Sequence, residues 1–210
     1  MWGVAFSATP IERSSPTGAS LPQARCPPLD CGFAPKLGAR INNSNRGRSA
    51  SLKASGNRLT REQARELLVK LDSATAGSKG KACREAMVKF LNTMVPGYSW
   101  VGIYAVEGKD LVLDAWSGPA ATEHTRIPVG KGVCGFAAKA GRTEIVSDVS
   151  KDPRYLQCFL STKSEIVVPI MDKGVVVGEI DIDGDQLDAF SSLDREFLEA
   201  VSKKASSVWT

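Results

Sequence analysis

This chain has one histidine, no CxxC cysteine pair, no internal repeat and no long apolar run. Each shortage removes a class of function. A lone imidazole, His124, and five scattered cysteines cannot build a closed four-ligand zinc site. The one set available, His124 with Cys134 and Cys158, would be an open three-ligand site, so no metal is expected. Crossing a bilayer takes about 18 consecutive apolar residues, and no run here approaches that length. Basic residues are scarce where a nucleic-acid surface would need them. The net charge is +4, but residues 1–57 hold seven Lys/Arg (Arg13, Arg25, Lys36, Arg40, Arg46, Arg48 and Lys53) against Glu12 and Asp30, a balance of +5. Residues 58–210 therefore carry a net −1, the difference between those totals. No basic face remains to track a phosphate backbone, which excludes nucleic acid as a partner.

The basic first segment is poor in acids, rich in Arg, Ser, Pro and Ala, and without apolar periodicity. Such a stretch cannot bury enough surface to fold. Residues 1–57 are read as a disordered organelle transit peptide, the alternative being a plain disordered tail. A chloroplast is preferred to a mitochondrion because no early Arg-rich amphipathic helix is visible. Residues 58–210 are read as one folded domain. Cys26 and Cys31 fall in the first segment, and Cys83, inside a helical pattern, is most simply a small core residue. Only Cys134 and Cys158 remain for chemistry.

What is present is a chain of 210 residues, 42% hydrophobic, enough for one well-filled core. Thr60-Arg61-Glu62-Gln63 forms a capping box ahead of a stripe of Ala64, Leu67, Leu68 and Leu71, predicting a first helix. A second helix carries Ala82, Ala86, Val88, Phe90, Leu91 and Met94 and ends at Pro96-Gly97. SWVGIYAVEG and DLVLDAWSG read as a hairpin, TRIPVG as a short extended piece, and GVCGFAAKAG as a short helix stopped by Gly141. TEIVS is a strand, DPRYLQ a loop or turn, and KSEIVVPIM with VVVGEIDID a second hairpin. Ser191 caps a last helix. This order predicts an α+β domain, a mostly antiparallel six-stranded sheet with terminal helices on one face. The long connection from Ala115 to Lys163 must then cover the other face and enclose any ligand pocket.

Two features on that second face bear on chemistry. In GEIDID, Ile180 and Ile182 point one way while Glu179, Asp181 and Asp183 share the other. A three-residue Asp172-Lys173-Gly174 loop would pair Met171 with Val175 and set Glu165 beside Asp181. Neighbouring like charges raise one pKa and leave a protonated acid. A solvated acidic face is the alternative, opposed only by Val167 and Val175, which want cover. In GVCG, Cys134 sits between glycines at a helix start. That placement gives access and backbone N–H groups that would favour its thiolate, although a space-filling cysteine fits the pattern too.

SWVGIY, RIPVGKGVCG, DVSKDPRY, SEIVVPI and GEIDID resemble, in order and spacing from about Thr60 onward, the free methionine-(R)-sulfoxide reductases, single-domain members of the GAF fold. RIPVGKGVCG and SEIVVPI are specific to that family, and DVSKDPRY is general to the fold. The resemblance implies that Cys158 is the nucleophile and Cys134 a resolving cysteine. It implies that Trp100 and Tyr104 hold the substrate methyl group, and that Glu165, Asp181 and Asp183 bind the polar end and the sulfoxide oxygen. On their own, both aromatics read as core as readily as pocket wall. The activity implied is reduction of free L-methionine (R)-sulfoxide through a Cys158 sulfenic acid and a Cys134–Cys158 disulfide. It needs no bound cofactor, with thioredoxin as external reductant and a homodimer as a common assembly. The family usually carries a third cysteine ten residues before the GVCG cysteine, and here that residue is His124. His124 itself is read as an exposed loop residue, with proton transfer near the thiols as the alternative. A non-catalytic sensor and a scaffold on the same fold are the rival functions.

Overall fold

The computed structural model describes residues 58–209, so the reading of residues 1–57 as a transit peptide, with Cys26 and Cys31, lies outside the described residues. Helix α1 spans Arg61–Ala74 and α2 Gly80–Met94, followed by strands β1 (Trp100–Glu107), β2 (Asp110–Ser117) and β3 (Arg126–Pro128). Helix α3 (Gly132–Ala140) and β4 (Glu144–Val146) lead through a 3₁₀ turn at Val149–Lys151 to β5 (Ser164–Asp172), β6 (Val175–Gly184) and α4 (Ser192–Ser207). The six strands lie in the order β3-β2-β1-β6-β5-β4. Every neighbouring pair is antiparallel, so the sheet is wholly rather than mostly antiparallel.

The caps work as the sequence implies. The Thr60 hydroxyl accepts from the Gln63 amide at 3.2 Å while Gln63 accepts from the Thr60 amide at 2.9 Å, satisfying two donors at the start of α1. Ser191 and Asp194 make the same box on α4. The predicted stripe of α2 needs adjusting, because Ala82 and Met94 are exposed while Cys83 and Met87 are buried. Arg84 is also buried there, bonded to Asp114 at 2.7 Å and lying over the Trp209 ring. Asp114 is free to reach it because the β1–β2 register slips by one residue between Ile103 and Tyr104.

The two faces of the sheet bury different things. Val101, Ile103, Ile166, Val168, Ile170, Ile180 and Ile182 pack with Leu71, Met87, Leu91, Phe197 and Val201 beneath α1, α2 and α4. The opposite face carries Trp100, Tyr104, Leu111 and Val167, covered by Val133, Cys134 and Ala137 of α3 and by Val146 and Val149. The connection from Ala115 to Lys163 thus closes over this face.

The second hairpin departs from expectation. Its turn is the two-residue Lys173-Gly174, with φ of 48° and 82°, the left-handed pair that matches strand twist. A slip near Ile170/Met171 then places Glu165 opposite Asp183, and Val167 opposite Asp181. Glu165 and Asp181 are therefore diagonal neighbours. Because the net displacement is two residues, every side chain keeps its face. Val175, expected under cover, is exposed at the turn, whereas Val167 is fully buried.

Candidate active site

Two strands deliver the acids, β6 and β5, and β1 sets its aromatics beside them. Across β1 and β6, Trp100 faces Asp183, Gly102 faces Asp181 and Tyr104 faces Glu179, with Glu165 arriving from β5. Trp100 lies flat because Gly102 has no side chain; a Cβ there would collide with its ring. The indole nitrogen donates to the Ala120 carbonyl at 3.2 Å, and Phe159 from the Cys158 loop tilts against the ring at 5.9 Å between centroids. The Tyr104 hydroxyl donates to the His124 carbonyl at 2.9 Å, which ties the covering connection to the sheet.

All four carboxyls are buried, so the solvated-face alternative is wrong. Five of their oxygens have no hydrogen-bond partner: one on each of Glu165, Asp181 and Asp183, and both on Glu179. Burial, reinforced by the neighbouring acids, pushes Glu165, Glu179 and Asp183 well above the usual carboxylate range. Burial takes Asp181 up to about 7. At neutral pH this floor holds carboxylic acids able to donate as well as accept.

The thiols sit above that floor. The Cys134 thiol donates to Glu165 Oε1 at 3.6 Å, and Cys134, Glu165 and Asp181 bring potential ligand atoms within 4.8 Å of one another. A cation could be held there only by displacing the protons that burial favours. Burial and the charges of Asp181, Glu179 and Glu165 push the Cys134 thiol well up. The expected thiolate at the helix start is therefore corrected; burial, with the carboxyls beside it, outweighs the few backbone amides of a nine-residue helix. Its glycines also do something other than uncrowd the thiol. A Cβ on Gly135 would strike the Pro128 carbonyl and come within 2.9 Å of the Gly130 nitrogen, so Gly135 lets α3 lie against the end of β3. Gly132, at φ 74°, makes the left-handed entry to the helix.

Cys158 is half-buried on the loop before β5, and its thiol donates to the Leu156 carbonyl at 3.4 Å. Burial, then Asp181 and Asp183, raises its pKa as well, while the Thr122 hydroxyl opposes that rise. Arg154 anchors the loop through Asp152 at 2.7 Å and Glu144 at 3.1 Å, with its guanidinium over Phe136 of α3. Cys83, Cys134 and Cys158 are all free thiols.

A GAF-domain family model matches residues 82–208. The chain belongs to the GAF-domain family. It is 36% identical over 143 residues, 68% of this chain and 89% of the relative, to GAF domain-containing protein A of Dictyostelium discoideum. It is 42% identical over 109 residues, 50% of this chain and 59% of the relative, to the free methionine-R-sulfoxide reductase of Saccharomyces cerevisiae. Among solved structures, the free methionine-R-sulfoxide reductase of Neisseria meningitidis in complex with its substrate superposes with a TM-score of 0.66 at 32% identity, covering 74% of this chain and 95% of that one.

On this GAF domain, all seven residues expected from the sequence, Trp100, Tyr104, Cys134, Cys158, Glu165, Asp181 and Asp183, converge on one site. Two further residues belong with them. Glu179 is fully buried, and its alternation with Asp181 was its only signal. His124 is half-buried rather than exposed, with Nδ1 at 3.6 Å from Cys158 Sγ. Nothing local in TEHTRIP announces that contact, because Cys158 lies 34 residues away in the chain.

Proposed function

We propose that this GAF domain reduces free L-methionine (R)-sulfoxide to L-methionine. The observation that carries the reading is the floor of four buried, largely unpartnered carboxyls beneath two free thiols and against the Trp100 face. Acids held apart from water and from cations suit a small, polar, positively charged group such as an amino acid's ammonium. Protonated acids also suit a sulfoxide oxygen, which must gain a proton as it leaves sulfur. Trp100 offers an apolar wall for a methyl group. The likeness to the yeast and Neisseria reductases supports the same choice.

Cys158, the more accessible of the two thiols beside the acids, attacks the sulfoxide sulfur as thiolate while one of the acids protonates the oxygen. Methionine leaves and Cys158 becomes a sulfenic acid. The Cys134 thiol condenses with it, releasing water and forming a disulfide, and an external dithiol of thioredoxin type returns both sulfurs to thiols. The supply of that dithiol, assembly as a homodimer and residence in a chloroplast belong to the proposal. The last is supported by the composition of residues 1–57. NADPH oxidation coupled through thioredoxin, run with each sulfoxide epimer of free methionine, tests it. Consumption confined to the R epimer is expected. Equal rates with both epimers, or none with either, would overturn the reading.

A further inference from the structure

The site carries one imidazole, that of His124. Residue 124 is held by its backbone: its carbonyl accepts from the Tyr104 hydroxyl at 2.9 Å, and its amide donates to the Thr122 hydroxyl at 3.1 Å. The imidazole is therefore positioned by groups that do not depend on its own identity. It points Nδ1 at the sulfur of Cys158, 3.6 Å away, within hydrogen-bonding reach for sulfur.

The other groups around Cys158 cannot help it ionise. Asp181 and Asp183 of β6 and Glu165 of β5 approach from the sheet, and each opposes a thiolate. Cys134 from α3, Tyr104 from β1 and Tyr155 from the same loop are neutral neighbours. The Leu156 carbonyl can accept from the thiol but gives nothing to a thiolate. The Thr122 hydroxyl favours the thiolate, and among these neighbours only the His124 ring is a nitrogen base placed to take the thiol proton.

We propose that His124 is a further catalytic residue of this site, taking the Cys158 thiol proton onto Nδ1 and leaving an imidazolium beside the attacking thiolate. The assignment rests on the reductase reading for its substrate, while the His124–Cys158 pair rests on geometry alone. The step balances. The S–H bond breaks, its proton goes to Nδ1, and the sulfur pair attacks the sulfoxide sulfur. Oxygen passes to Cys158 as S–OH, protonated by one of the acids. The sulfoxide sulfur gains two electrons and the Cys158 sulfur loses two. The imidazolium then returns its proton to the carboxylate just formed, leaving ring and acid as they began.

The test follows Cys158 itself. The full chain, His124→Asn and His124→Phe are treated with iodoacetamide from roughly pH 6 to pH 10, and alkylation of each cysteine is read by peptide mass spectrometry. Both variants keep the backbone tethers of residue 124. The native profile should rise at least about one pH unit lower than either variant's, with Cys158 alkylated about tenfold faster at neutral pH. Coincident profiles, or faster alkylation in both variants, would overturn the proposal. Assaying the same preparations with the two sulfoxide epimers separates the two conclusions. Separated profiles without R-epimer turnover sink the reductase reading and leave the pair standing. Turnover with coincident profiles sinks the pair alone.

Discussion

Replacing Asp181 with Asn should change how stability responds to pH more than stability at any one pH. In the folded protein burial lifts the Asp181 carboxyl to about 7 from an ordinary 3.8. A gap of roughly 3 pH units corresponds to ~4 kcal/mol at about 1.36 kcal/mol per unit. The folded chain keeps this proton where the unfolded chain has lost it. Its contribution is therefore fully present below the unfolded value and lost as pH rises toward 7. Asp152 has the opposite sign, since Arg154 holds it low and its contribution is lost toward acid, but it is shared by both proteins and cancels in their difference. Thermal unfolding of the wild-type chain and Asp181→Asn between about pH 4 and pH 8 reads that difference. Relative to the variant, the wild type should lose up to ~4 kcal/mol across the window, roughly 8–16 °C in Tm for a domain of this size. Parallel curves, or a wild-type advantage that grows with pH, would refute a protonated acid at this position.

Glu179→Gln, at the one acid to which the family resemblance gives no role, should lower kcat/KM as much as Glu165→Gln, each by about 2–4 kcal/mol. Steady-state kinetics with the R epimer decides it, and a near-neutral Glu179 would return that residue to a packing role. Cys158→Ser should abolish even one turnover, whereas Cys134→Ser should release one methionine per enzyme and stop at a sulfenic acid. Mass spectrometry after one equivalent of sulfoxide checks both, and a wild-type product lacking the Cys134–Cys158 bond would dispose of the resolving role. Gly135→Ala should cost about 1–3 kcal/mol in urea unfolding, because the added methyl meets the backbone at Pro128 and Gly130. A change within about 0.5 kcal/mol would show that α3 can shift away from β3 freely.

How far the site was legible follows from which facts are local. Facing is local: alternation in GEIDID needs only that β6 is a strand, so placing Asp181 and Asp183 together survived an error in pairing. Register is less so. The tighter two-residue turn and the slip beside Met171 are choices of turn geometry, and they moved Glu165 from Asp181 to Asp183. Burial of the acids depended on what the connection from Ala115 to Lys163 covers, which pattern left open. The glycines of GVCG invited an account from their nearest neighbour in sequence, the cysteine. Their constraint comes from Pro128 and Gly130 across the turn, and such contacts exist only once the chain is folded. The His124–Cys158 contact is of the same kind.

The two outermost strands, β3 and β4, are each three residues long. A rim that short gives an incoming strand little to grip, so neither β3 nor β4 can be extended by another chain over more than a rung or two. Growth of the sheet into a continuous ribbon between copies, or into a fibril, finds no long outer strand in β3 or β4 to build on. Two copies that pair would then meet through side chains on the helical layer or on the loops rather than through β3 or β4. That leaves the thiols and their acids free of any requirement to open the strand ladder when partners meet or separate.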